Sequence, residues 1–166
     1  MRRSQLAARY GLLIALALIL SYVESQIPAF FTVPGMKLGL TNVVVLFALY
    51  GLGEGSAVVI NLLRILLVSI LFGNGMSMAY SVAGGLLSGA VMILLKKTGR
   101  FSVPAISVAG GVSHNVGQIL AAMFLLGTRS IAWYLLVLWF TGIASGLVIG
   151  LLGAEIIRRM KPIFRQ

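Results

Sequence analysis

The sequence predicts an all-α integral membrane protein with six transmembrane helices and both chain ends in the cytoplasm. Of its 166 residues, 60% are hydrophobic and only 10% are charged, whereas soluble domains carry about a quarter charged residues. Its apolar runs have the length of about 20 residues that crosses a bilayer. The basic residues lie at alternate breaks between these runs. The chain is therefore predicted to be a single membrane domain, residues 1–166, without a soluble domain.

Polar breaks place the six helices at residues 6–22, 38–52, 56–72, 78–95, 103–126 and 131–157. Between the first two, the outer loop 24–37 contains two prolines and two adjacent phenylalanines, which favours a partly apolar loop that folds back over the outer mouth. Between the second and third, the sequence Gly51-Leu-Gly-Glu-Gly55 lacks the strand and the lysine of a phosphate-binding loop. It is predicted to be a tight helix hairpin.

The basic residues set the orientation. Lys37 and Arg129 alone fall on the predicted outer side, and ten others fall on the inner side: Arg2, Arg3, Arg9, Lys96, Lys97, Arg100, Arg158, Arg159, Lys161 and Arg165. Such an asymmetry is the positive-inside pattern of cell (inner) membrane proteins with several spans. The net charge of +10 then indicates orientation and attraction to anionic lipid of the bilayer, not nucleic-acid binding.

Polar side chains inside the spans are the candidate binding residues, because each is costly in hydrocarbon unless it meets a partner or water. Arg64 lies near the middle of helix three, about 12 Å from either end, and Asn61 shares its face. We predict one polar pocket that opens outward. Its predicted substrate-binding residues are Lys37, Asn42, Asn61, Arg64, Ser81, Ser88, His114, Asn115 and Gln118. The alternative for Arg64 and His114 is a purely structural hydrogen bond between helices.

The ionisable residues indicate the ligand. Lys37, Arg64 and His114 are cationic or can become so, and Glu24 is the single acid of the outer half. This set favours an anion or an amphiphile with an anionic head. The chain has no aspartate and no cysteine, and its three glutamates are far apart. We therefore predict no catalytic residue, no metal site and no cofactor.

Small residues repeat at four-residue spacing on two helices: Ala7, Gly11 and Ala15 on the first, and Gly142, Gly146 and Gly150 on the last. In lipid, such strips let helix backbones approach closely. Each strip is predicted either to pack inside the bundle or to dock another membrane subunit.

Four segments together resemble a known family: Pro34-Gly-Met-Lys-Leu-Gly-Leu-Thr-Asn42, Asn61-Leu-Leu-Arg64, the region 81–88 with its Gly-Gly pair, and Ser113-His-Asn-Val-Gly-Gln118. The chain looks like the bacterial membrane family called heptaprenyl diphosphate synthase component I, or the Gx transporter family, over nearly its whole length.

That family in turn resembles the substrate-binding S components of energy-coupling factor (ECF) transporters. The resemblance implies a six-helix bundle with a ligand site near the outer face, under a loop between the first helices. It also implies that Ala7, Gly11 and Ala15 dock the transmembrane coupling subunit. Gly11 departs from the S-component motif, which favours alanine there.

The main functional hypothesis is a membrane substrate-binding or permease subunit for a small anionic or amphiphilic metabolite, related to isoprenoid, quinone or flavin metabolism. Its partners are then ECF transmembrane and ATPase subunits. The alternative is a noncatalytic membrane subunit that assists polyprenyl diphosphate synthesis beside a catalytic synthase subunit. The family label names a synthase, but an aspartate-rich magnesium site is missing from the sequence, so we predict that the chain is not an enzyme.

Overall fold

A computed structural model describes residues 3–26 and 39–164. Within these ranges the chain is helical and contains no strand. The elements are α1 (Arg3–Gln26), α2 (Asn42–Gly51), α3 (Glu54–Phe72), α4 (Gly75–Thr98), α5 (Val103–Leu126), a short 3-10 helix (Ser130–Trp133) and α6 (Tyr134–Phe164).

Five of these helices, all except α2, are long and apolar enough to cross a membrane, which indicates a protein with several membrane passes. The predicted second helix, 38–52, is observed as the ten residues of α2. At 1.5 Å per residue, α2 spans about 15 Å, about half the hydrocarbon thickness of a bilayer. The five long helices confirm the all-helical membrane class, and the count of six spans stays a prediction.

Helix α2 lies in the hydrophobic core and is surrounded by α1, α3 and α6. Val44, Leu46, Ala48 and Leu49 are each at most 1% exposed. A helix that is apolar on all sides is buried, either in a protein core or in a membrane. The short helix is thus held between α1, α3 and α6.

Both ends of α4 differ from the predicted bounds, 78–95, because of local caps. The side chain of Asn74 accepts a hydrogen bond from the backbone N–H of Ser77 at 2.8 Å, so α4 begins at Gly75 instead of residue 78. At the other end, Gly99 takes the left-handed conformation with φ of 67°, which ends the helix.

Glycines bring α5 close to both of its neighbours. A Cβ atom on Gly117 would lie 2.8 Å from the Ala83 carbonyl oxygen of α4, and one on Gly111 would lie 2.6 Å from the Gly142 carbonyl oxygen of α6. Gly146 and Gly150 likewise face backbone atoms of α5. Of the two alternatives for the α6 strip, internal packing is the one observed.

One end of the bundle collects most of the basic residues of the described ranges. There, Lys97 pairs with Glu54 at 3.2 Å, and Lys96 Nζ donates a hydrogen bond to the Leu49 carbonyl at 2.7 Å. The start of α1 and the end of α6 reach this same end, while Arg129 follows α5 at the opposite end. The location of this basic end in the cytoplasm stays a prediction.

Reporter fusions test that orientation. We expect fusions after Lys97 and at Gln166 to report a cytoplasmic location, and fusions near Ala29 and Thr128 to report an external one, because basic loops are retained inside. Paired phosphatase and fluorescent-protein reporters give the measurement. An external signal from the Gln166 fusion would contradict both the topology and the six-helix prediction.

Candidate functional site

A polar cavity lies between α1, α3, α4 and α5, near the end of the bundle opposite the basic cluster. Its volume is about 20 Å³, which is room for a single water molecule. The cavity is lined by Ser21, Glu24, Gly39, Asn42, Arg64, Ile65, Val68, Ser69, Ser81, His114 and Gln118. In this conformation the site is closed.

Arg64 is the central cation of the cavity and is 9% exposed. Its Nε donates to Asn61 Oδ1 at 2.9 Å, and one terminal nitrogen donates to Asn42 Oδ1 at 2.9 Å. Asn61 in turn donates to the Gly85 carbonyl at 3.2 Å. The guanidinium therefore links α3 to α2 directly and to α4 through Asn61. These contacts use two of its five N–H donors.

Glu24 lines the same cavity and is 6% exposed. Its carboxylate accepts a hydrogen bond from the backbone N–H of Gly39 and attracts Arg64 electrostatically. A buried charge is tolerated only with a partner of opposite sign or strong hydrogen bonds. The cavity is therefore lined by a carboxylate as well as a guanidinium, whereas the residue types along the sequence predicted a cationic pocket.

His114 and Gln118 reach the cavity from α5, where they are one turn apart, as predicted. They are 7% and 2% exposed. Gly84 of α4 makes room for both, since a Cβ atom there would lie 2.9 Å from Gln118 Cγ and 3.1 Å from His114 Cε1. Within the described ranges, Oε1 of Gln118 meets no hydrogen-bond donor. A buried acceptor left without a donor costs about 1–3 kcal/mol, so this oxygen suits a bound donor.

The structure places the predicted residues in three groups. Those that line the cavity are Asn42, Arg64, Ser81, His114 and Gln118. Asn61 supports the cavity by holding Arg64. Ser88 and Asn115 are buried outside it: Ser88 is two turns from Ser81 along α4, and Asn115 Nδ2 donates to the Leu138 carbonyl of α6 at 2.6 Å. Lys37 lies outside the described residues, and so does most of the loop 24–37.

Three cavity residues with polar side chains were absent from the predicted set, namely Ser21, Glu24 and Ser69. Ser21 and Glu24 are three residues apart on one face of α1, and the Ser21 hydroxyl lies 2.8 Å from the Thr41 hydroxyl. A polar pair at helical spacing on an otherwise apolar helix was the available signal. For Ser69, the signal was its position on α3 just over one turn after Arg64.

Comparison with known families identifies the chain. The family model described as heptaprenyl diphosphate synthase component I matches residues 13–156. The chain belongs to this family. All the cavity-lining residues fall within the matched range, while Ala7 and Gly11 precede it. A search of the curated proteins and of the solved structures found no match. The family resemblance seen in the sequence is thus confirmed, and the similarity to ECF S components stays a prediction.

Proposed function

We propose that this member of the component I family is a noncatalytic membrane subunit that binds a small ligand in the polar cavity. The ligand is a small anionic metabolite or an amphiphile with an anionic head, related to isoprenoids, quinones or flavins, and the protein works as a substrate-binding or permease subunit. The observation that carries the proposal is a cavity lined by two buried groups of opposite charge, Arg64 and Glu24, in which the Gln118 amide oxygen meets no donor among the described residues.

Glu24 acts in this proposal as an internal substitute for the ligand. While the site is closed, its carboxylate neutralises Arg64; an incoming anionic group takes over that role, and a ligand hydroxyl or amide N–H donates to Gln118. The cavity must widen for this exchange, because it now holds only about 20 Å³. Helix α1 carries Glu24 and is the least buried of the five long helices, so its displacement breaks the fewest contacts.

Glu24→Gln tests this exchange. The variant keeps an oxygen for the Gly39 N–H and removes the competing charge, so we expect an anionic ligand to bind about tenfold more tightly. Affinities for an isoprenyl diphosphate, a quinone and a flavin phosphate are measured by calorimetry on the folded protein in detergent. Glu54→Gln, at the opposite end of the bundle, is the matched control and should leave these three ligand affinities unchanged. Weaker anion binding by Glu24→Gln would contradict the exchange.

The strip of Ala7, Gly11 and Ala15 is the proposed docking surface for a coupling subunit. All three residues are exposed, and no atom lies within 4 Å of the position that a Cβ atom on Gly11 would take. Close approach of a second helix backbone requires such small residues. The strip therefore suits a membrane partner, and the S-component resemblance favours the ECF transmembrane subunit with its ATPases for that role.

Gly11→Leu should abolish co-purification with a coupling subunit, because the new side chain holds the two helices apart. Ligand binding by the isolated protein should be unchanged, since this position faces away from the cavity. Tagged protein purified from its native membrane in mild detergent, followed by identification of bound proteins, gives the first readout. Collapse of ligand binding in Gly11→Leu would show that the strip serves internal packing.

A second candidate is supported by the family match: a noncatalytic subunit that presents polyprenyl diphosphate to a separate synthase subunit. Among the described residues, no group of three His, Cys, Asp or Glu side chains is placed to hold a metal ion, so the magnesium site of such a synthase would belong to the partner. The same purification separates the candidates, because the first predicts a bound ATPase module and the second a bound soluble prenyl synthase.

A further inference from the structure

A second, apolar cavity lies between α2, α3 and α4 and is distinct from the polar site. Its volume is about 250 Å³, well above the roughly 150 Å³ at which an apolar cavity binds benzene. Val45, Leu49 and Ala57 form its buried floor, while Val58, Leu86 and Ala90 at its rim are exposed. We call it the lateral groove, since its open side faces where lipid would surround the bundle.

The lateral groove runs along one half of α4. Its α4 residues Leu86, Ala90 and Ile93 share a face with Lys97, so the groove continues toward that lysine. Leu86 and Lys97 are separated by about 16 Å at the helical rise, which is about half of the 30 Å hydrocarbon thickness. The lining of the groove ends at Ile93, about one turn before Lys97, so the groove itself covers about 10 Å of that distance at the helical rise.

The two ends of the groove differ chemically. Toward mid-membrane, the Asn61–Gly85 hydrogen bond closes it at 3.2 Å, and Ile65 packs against Gly85. At the other end lie Lys97, 60% exposed and paired with Glu54, and Lys96, whose Nζ lies 5.4 Å from the Tyr50 ring centroid. Arg100 follows three residues after Lys97, so this end carries three basic residues and the acid Glu54. A chain that enters from the side would thus place an anionic head at the lysines.

We propose that the lateral groove binds the hydrocarbon chain of an anionic membrane lipid from the leaflet at the basic end of the bundle, with its headgroup at Lys97 and Lys96. The apolar lining, the lateral opening and the charge beyond the groove's end all match this occupant. The site is independent of the polar cavity, so it stands or falls separately from the proposed function. The bound lipid fills the gap between α3 and α4.

Gly89 offers a direct test, because it lines the groove and a Cβ atom there would meet no atom within 4 Å. Gly89→Leu therefore fills the groove without a backbone clash. In native mass spectrometry of the full chain in detergent, we expect wild type to retain phosphatidylglycerol about fivefold more than phosphatidylcholine. Gly89→Leu should lower retention of both lipids, and Lys97→Gln should remove the headgroup preference alone.

Gly75→Leu is the matched control, since Gly75 is also a glycine of α4 with open space at its Cβ position and lies outside the groove, and it should retain lipid like wild type. Thermal unfolding is used to check that each variant is folded. If Gly89→Leu does not fold, Ala90→Phe takes its place as the variant that fills the groove. Unchanged phosphatidylglycerol retention in a folded groove variant would overturn the proposal. Equal retention of both lipids by wild type would also overturn the proposal. The same holds if Gly89→Leu keeps its lipid but loses a co-purifying protein, because the groove would then bind a protein instead of a lipid.

Discussion

Replacing Arg64 with Gln is expected to lower the free energy of unfolding by about 3–5 kcal/mol, because it leaves the Glu24 carboxylate buried without its cation. Glutamine can still donate to one asparagine, so most of the loss reflects the missing charge. The measurement is equilibrium unfolding in detergent micelles, followed by circular dichroism.

A double-mutant cycle separates charge pairing from other roles of Arg64. Glu24→Gln alone should also destabilise the protein, since it strands the buried guanidinium, and the Arg64→Gln, Glu24→Gln double variant should lose less than the sum of the two. The exposed pair Glu54–Lys97 is the matched control, and its cycle should give a coupling of at most about 1 kcal/mol. Additive losses for Arg64 and Glu24 would contradict a pair inside the cavity.

Gly117→Val is expected to cost about 3 kcal/mol or more, the upper range for forcing extra atoms into a packed interior. A Cβ atom on Gly117 would lie 2.8 Å from both the Ala83 carbonyl oxygen and Gly84 Cα. These are backbone atoms, so relief requires α4 and α5 to separate. That movement would also carry His114 and Gln118 away from Ser81, so we expect ligand binding to fall together with stability.

Gly89→Val is the control for this prediction, because it introduces the same side chain into α4 where no atom lies within 4 Å. It should change the unfolding free energy by no more than about 0.5 kcal/mol. Equal unfolding curves for Gly117→Val and Gly89→Val would contradict the close contact between α4 and α5. Both variants can be followed by the same denaturation experiment.

Local spacing predicted the parts of the site that lie on a single helix. Asn61 and Arg64 are three residues apart, and their side chains are hydrogen-bonded at 2.9 Å, as helical geometry requires. His114 and Gln118 likewise share one face and both reach the cavity. For these two pairs, the helical period of 3.6 residues was sufficient to predict that the side chains lie on one face.

Contacts between helices were harder to predict, because the spans are apolar on most faces and the sequence does not say which face meets which neighbour. Asn115 turned out to hold α6 instead of the cavity. Glu24 was recognised as the single outer acid, yet its position beside Arg64 depends on how α1 packs against α2 and α3. The length of α2 was overestimated because the residues just before it were counted as helical, whereas Gly39 takes the left-handed conformation with φ of 84° and Thr41 is the N-cap residue.

The central claim is that the polar cavity around Arg64 binds a small ligand, and mass spectrometry of the protein extracted from its native membrane tests it most directly. We expect a small molecule with an anionic group to remain bound to the wild type and to Gly11→Leu. It should be absent from Arg64→Gln purified under conditions where that variant is still folded. If folded Arg64→Gln retains the same molecule in the same amount, Arg64 only bridges α2 and α3, and the cavity is not the ligand site.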